Sequence, residues 1–126
     1  MDLQFERFGL PYTEGGLVGL GYSERGRSPE EGFDCWGLAI WVYRNIGISV
    51  PDQSLGWRRY FNFLPADIPV QAGDTIGLTG LLGLIDHVAV AISSSELIHA
   101  DRRFQSVVRE PIRRHRDNIK AIARLK

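Results

Sequence analysis

Residues 32–51 read GFDCWGLAIWVYRNIGISVP and contain the only cysteine in the chain, Cys35. Behind it the apolar positions Leu38, Ile40, Trp41, Val42 and Ile46 recur as they do along a mostly buried helix. Asp34 stands where an N-cap belongs and Gly47 where a helix stops, and Pro51 forbids continuation. The stretch therefore predicts a helix over 34–47 with the thiol in its first turn. There the unpaired amide hydrogens and the helix dipole favour a thiolate. A lone cysteine is equally at home as a small buried hydrophobe, so the residues around it must decide.

Upstream, residues 1–33 are glycine-rich and read as loop. Downstream, 52–72 read as irregular, with one short helical turn around Leu55–Phe63. VQAGDTIGL, residues 70–78, gives a turn at Ala72–Asp74 running into a strand, and HVAVAI, 87–92, is a β-branched run with strand character. A turn at Ser93–Glu96 pairs Ile92 with Leu97 and opens a second strand, Leu97–Ala100. Gln105–Glu110 and Ile119–Leu125 are two further strands around a Pro111–Asp117 connection. One helix followed by strands with short links predicts an α+β fold, an antiparallel sheet over 73–125 with the helix on one face. The length of 126 residues suits a single domain, 1–126.

Apolar residues make up 44% of the chain and charged residues 24%, which excludes disorder as the default. A single cysteine excludes an internal disulfide framework and any cysteine-based zinc cluster. Asp2, Glu6 and Arg7 stand where a secretory signal has its apolar core, so synthesis in the cytoplasm without a signal peptide is expected. No apolar run reaches the ~18 residues of a membrane-spanning helix, so no membrane insertion is expected. The net charge of zero hides an asymmetry: residues 1–34 hold seven acids and three bases, and residues 100–126 hold nine bases and three acids. The basic end suits a solvated face, or a docking surface on a larger assembly. Few aromatics lie among its arginines, which argues against nucleic acid as a partner.

Cys35, His87 and His99 form the one constellation with chemistry in it. His87 opens a strand and His99 lies on the next strand of the same hairpin, so the turn brings them near each other. An imidazole facing a thiol at a helix start is what a thiolate–imidazolium pair needs, and the second histidine can fix the tautomer of the first. Zinc is the rival use of the same residues. Neither a fourth ligand nor signature spacing accompanies them, so no metal or cofactor is expected.

These motifs resemble the NlpC/P60 family of papain-like cysteine peptidases. The family pattern Gly–x–Asp–Cys–Ser–Gly–Leu is met by Gly32-Phe33-Asp34-Cys35-Trp36-Gly37-Leu38, and its helix tail by Tyr43 to Pro51. A Gly–Asp turn follows at Gly73-Asp74, a His–Val strand at His87-Val88, and a His–Ala pair at His99-Ala100. Upstream, Gly9-Leu10-Pro11-Tyr12 to Gly16 resembles the family's Gly–x–Pro–Tyr–x–x–Gly–Gly. The resemblance implies a papain-like fold with Cys35 as nucleophile, His87 as general base and His99 orienting it. It also implies a substrate-side surface from Asp34, Trp36 and an upstream tyrosine. Tyr12 has the fuller local motif and is preferred. Tyr22 has the family's distance, thirteen residues before Cys35.

The implied reaction is cleavage of the γ-D-glutamyl–diamino acid bond in peptidoglycan stem peptides. Trp36 replaces the family's usual serine, either as helix packing or as substrate contact. Asp–Cys–Trp–Gly–Leu resembles the subgroup of bacteriophage tails, prophages and gene-transfer particles. That implies a virion component at the tail tip, with tail-tip or baseplate proteins as partners, opening the wall during DNA entry. Two other roles stay open on the same fold: a structural tail-tip subunit with little catalysis, and an amidase or acyltransferase.

Overall fold

The computed structural model describes residues 17–126 apart from 46, 53 and 81–83, so Tyr12 lies outside the described residues. Helix α1, Cys35–Asn45, forms where the apolar spacing put it. Asp34 caps it: Oδ1 accepts the Gly37 N–H at 2.7 Å, satisfying one of the amides that a first turn leaves unpaired. At the other end Gly47 has φ +92°, a left-handed conformation that favours glycine. Its N–H donates to Arg44 O and that of Ile48 to Tyr43 O.

Ahead of α1, β1 (Arg27–Ser28) and β2 (Gly32–Phe33) form a small antiparallel hairpin within the region read as loop. Two-residue strands are too short to leave an alternating pattern. After α1 a 3₁₀ helix, Ser54–Arg59, takes the place of the expected helical turn. The main sheet is built from β3 (Phe61–Pro65), β4 (Thr75–Thr79), β5 (Ile85–Ala91), β6 (Glu96–Asp101), β7 (Ser106–Pro111) and β8 (Ile119–Leu125). Its order is β3-β8-β4-β5-β6-β7, and every neighbouring pair is antiparallel. The α+β expectation holds. Strand β3 corrects the reading of 52–72 as irregular: it is an edge strand whose only ladder is to distant β8, and it ends at Pro65, so local pattern does not reveal it.

Alternate strand residues serve two cores. Val90, Ile98 and Ala100 join the cluster under α1 with Leu38, Val42 and Phe33. Ala89, Ala91 and Leu97 face the other way, with Ile76, Ile112 and Ile122. Each such Val, Leu, Ile or Phe contributes about 1.5–3 kcal/mol when fully buried. Buried Tyr43 ties the helix to the sheet, because its hydroxyl donates to Gly73 O and accepts from Thr75 Oγ1 at 2.8 Å. Asp74, also buried, takes the Gln71 N–H and two bonds from Arg124, at 3.0 and 2.9 Å. The Gly73–Asp74 turn is thereby fixed to both α1 and β8.

The hairpin register differs from the expected one. Val90 pairs with Ile98 and Ala91 with Leu97, one residue away from an Ile92–Leu97 pairing. The difference matters because a shift of one residue turns a whole strand over. In the observed register His87 and His99 fall on the same face, whereas the expected register would have put them on opposite faces.

Candidate active site

The start of α1 places the Cys35 thiol against the backbone N–H groups of Cys35, Trp36 and Val88, the last being the residue after His87. Among the described residues the thiol and the His87 imidazole are not hydrogen-bonded to each other. Burial pushes the thiol above its ordinary value of 9.0 and outweighs the three N–H groups, which favour the thiolate. The expectation that the helix start alone lowers this thiol is thus corrected: desolvation is the larger effect.

The histidines meet as the register dictates. His87 Nε2 lies 2.7 Å from His99 Nδ1, with the rings edge-on. His99, 1% exposed, turns its other nitrogen to Glu110, with Nε2 to Oε1 at 2.6 Å. His99 pairs with Val108 across β6 and β7, so Glu110 is its diagonal neighbour on the same face. The 3₁₀ helix after β7, Ile112–Asn118, adds Arg114 at 2.8 Å from Glu110 Oε2 and His115 at 3.0 Å from Oε1. Burial, then the neighbouring His99, lowers His87 to about 4, with Asp101 and Asp86 opposing. Burial also lowers His99 against the pull of Glu110. Burial would raise Glu110, but its bonds from Arg114, His99 and His115 prevail and hold it at about 2. At neutral pH the row is therefore two neutral imidazoles ending on a carboxylate.

A cleft of about 1080 Å³ opens over this row, lined by Tyr22, Asp86, His87, His99, Arg102 and Arg114 among others. Tyr22 stands within electrostatic reach of both Cys35 and Asp34, and burial raises its hydroxyl. It is the described upstream tyrosine that adjoins both the thiol and the histidines. Asp34 has its carboxylate occupied: Oδ1 takes Gly37 N–H and Arg27 Nη1 at 2.8 Å, and Oδ2 takes the Arg25 N–H at 3.0 Å. These bonds hold the helix start to the preceding loop. Trp36 packs edge-on against Trp57 at 5.3 Å between ring centres. It also lines an apolar cavity of about 200 Å³ with Trp57, Phe63, Ile85 and Val88.

The sequence reading missed Glu110, Arg114 and His115. The available signal was parity: an acid at an inward strand position two residues beyond the partner of His99, followed by a histidine in the next connection. His99, Glu110 and His115 place one ligand atom each within 4.8 Å, the one metal-compatible trio among the described residues. Arg114 on the same carboxylate opposes a cation there. Among the described residues no helix is long and apolar enough to cross a membrane.

The NlpC/P60 family model matches residues 9–120. Among solved structures, the NlpC/p60 domain of the peptidoglycan hydrolase SagA is 24% identical, with a TM-score of 0.69, covering 86% of this chain and 90% of that one. An NlpC/P60 family protein from Bacillus cereus ATCC 10987 is 28% identical at a TM-score of 0.73, covering 98% of this chain and 40% of that one. A protein of the same family from Staphylococcus aureus Mu50, similar to a lipoprotein, is 27% identical at 0.69, over 89% and 38%. The chain thus spans about two fifths of the latter two proteins. No curated protein sequence matches it. With matched residues from Gly9 to Lys120 and the same α+β architecture in its relatives, the chain belongs to the NlpC/P60 family.

Proposed function

We propose that this protein is a cysteine endopeptidase that hydrolyses the stem peptides of bacterial peptidoglycan at the γ-D-glutamyl–diamino acid bond. The observation that carries the reading is the hydrogen-bonded row from His87 through His99, on the strand whose Val88 N–H meets the thiol at the start of α1. Its Nε2 being engaged by His99, His87 has Nδ1 left for the thiol. On substrate binding Nδ1 takes the Cys35 proton as sulfur attacks the scissile carbonyl carbon. The Cys35 and Trp36 N–H groups steady the oxyanion. Imidazolium then protonates the leaving amine, leaving a thioester. Water, deprotonated by the same imidazole, hydrolyses the thioester and restores the thiol. Thiol–imidazole contacts commonly tighten only when substrate is bound, which accords with a neutral resting pair. Tyr22 and Trp36 flank the thiol on the substrate side.

The setting at a phage tail tip, acting in the host wall with baseplate neighbours, rests on the wording Asp34-Cys35-Trp36-Gly37-Leu38 alone. A structural subunit of the same fold is the second reading, and the half-buried thiol, whose desolvation favours the protonated form, is the observation that favours it. Incubation with purified peptidoglycan and with a γ-D-Glu–diaminopimelate peptide separates the two. The expected result is cleavage at that bond, lost in Cys35→Ala and reduced at least ~100-fold in His87→Ala. Absence of cleavage by the intact protein, both free and assembled, would assign the structural role.

A further inference from the structure

Glu110 lies 75 residues beyond Cys35 and, although it lines the cleft, is only 6% exposed. Three donors nevertheless converge on it from two elements, His99 at 2.6 Å, Arg114 at 2.8 Å and His115 at 3.0 Å. No buried side-chain polar atom among the described residues lacks a partner, so each of these bonds has a direction that can be worked out.

A carboxylate only accepts. His99 must therefore present Nε2–H to Glu110, and in a neutral ring that leaves Nδ1 bare. A bare Nδ1 at 2.7 Å from His87 Nε2 only accepts, so His87 carries its proton on Nε2. Nδ1 of His87 is then the lone pair that faces away from the row. We infer that Glu110 is a positioning residue of this site: its carboxylate sets the tautomer of His99, which sets that of His87 so that Nδ1 is the base. The inference rests on the proposed roles of Cys35 and His87 and extends them to a fourth residue.

The row is the product of sheet geometry. His87, His99 and Glu110 sit on β5, β6 and β7 as successive diagonal neighbours on one face. The charged and titratable groups around it come from every element nearby. Asp101 lies 3.9 Å from His99 Nδ1 and is itself held by Arg103. Asp86, Tyr22 and Arg102 line the cleft, while Arg114 and His115 come from the 3₁₀ helix. Arg114 and His115 keep the Glu110 oxygens oriented, and Arg114 balances their charge.

Nitrogen-15 spectra of the ring nitrogens read the tautomers directly and need no substrate. In the native protein near neutral pH, His87 and His99 are both expected in the Nε2–H form. An Nδ1–H form at either ring would overturn the inference even if no variant folds. In Glu110→Ala both rings should become tautomer mixtures, and kcat on the stem peptide should fall about 10–100-fold with KM little changed. Glu110→Gln keeps a carbonyl acceptor and should retain the native tautomers and more of the rate. Unchanged tautomers and unchanged kcat in Glu110→Ala would overturn the role of Glu110 while leaving the peptidase reading intact. Native tautomers with no hydrolysis by the intact protein would instead overturn the peptidase reading alone.

Discussion

At the scale of single residues, Cys35 is governed by desolvation. A thiol at a helix start is commonly activated by the dipole, but here burial outweighs the three N–H groups around it. Alkylation by iodoacetamide should therefore follow a midpoint above 9.0 in the free protein. A midpoint below about 7 would reveal a preformed thiolate–imidazolium pair and refute the neutral resting state. The position of Cys35 in the helix and the meeting of His87 with His99 were legible, because a cap, an apolar period and a histidine on each arm of a hairpin are local patterns. The sign of the thiol shift was not, since burial depends on how other elements pack around the start of α1. Glu110 was hidden for the same reason: nothing at Glu110 itself distinguishes an inward acid from a solvated one. Of the two tyrosines, Tyr22 adjoins the site, and Tyr12 lies outside the described residues.

At the scale of elements, the first turn of α1 is built by close approach. A Cβ at Gly37 would lie 1.9 Å from the Gly26 carbonyl oxygen, and that atom is backbone. Glycine in Asp34-Cys35-Trp36-Gly37-Leu38 is thus a packing requirement, met where the loop ahead of α1 crosses over the helix. Gly37→Ala should lower stability by roughly 1–3 kcal/mol, whereas Asp34→Ala, which removes the cap, should cost about 1 kcal/mol. Urea denaturation measures both. A Gly37→Ala protein as stable as the native one would mean that the Gly26 loop moves aside freely. Helix α1 and five of the six main strands could be read from the sequence, each from its own apolar pattern. The exceptions were strand β3, hairpin β1–β2 and the exact register of β5 against β6. All three depend on which partner a strand finds, and for the register one residue decides whether the histidines meet.

For the molecule as a whole, the buried histidine row links folding to pH. His87 titrates near 4 when folded and near 6.5 when not. As pH falls through 6.5 the unfolded chain binds protons that the native one refuses, so stability is full above that value and is lost down to about 4. Glu110 acts in the same direction in a lower window: it titrates at about 2 when folded against 4.5 when not, so its share is lost as pH falls through that range. His87 accounts for about 3 kcal/mol of the loss at ~1.36 kcal/mol per pKa unit. By calorimetry Tm should drop roughly 10 °C between about pH 7 and about pH 4. A flat profile would refute neutral burial of the row, and His87→Gln should flatten it in part.

Strand β8 lies between β3 and β4, so it joins two strands whose paired residues precede its own by about forty to sixty residues. On a nascent chain that has emerged only as far as Asn118, β3 and β4 offer unpaired edges toward a gap that nothing yet fills. Local contacts can assemble α1 and the β5–β6 hairpin early, but the sheet closes only once a long loop has been drawn together, which is the slow kind of step. In the interval those edges are open to pairing with another chain. The insertion that anchors Arg124 on Asp74 is therefore the step on which closure of the main sheet waits.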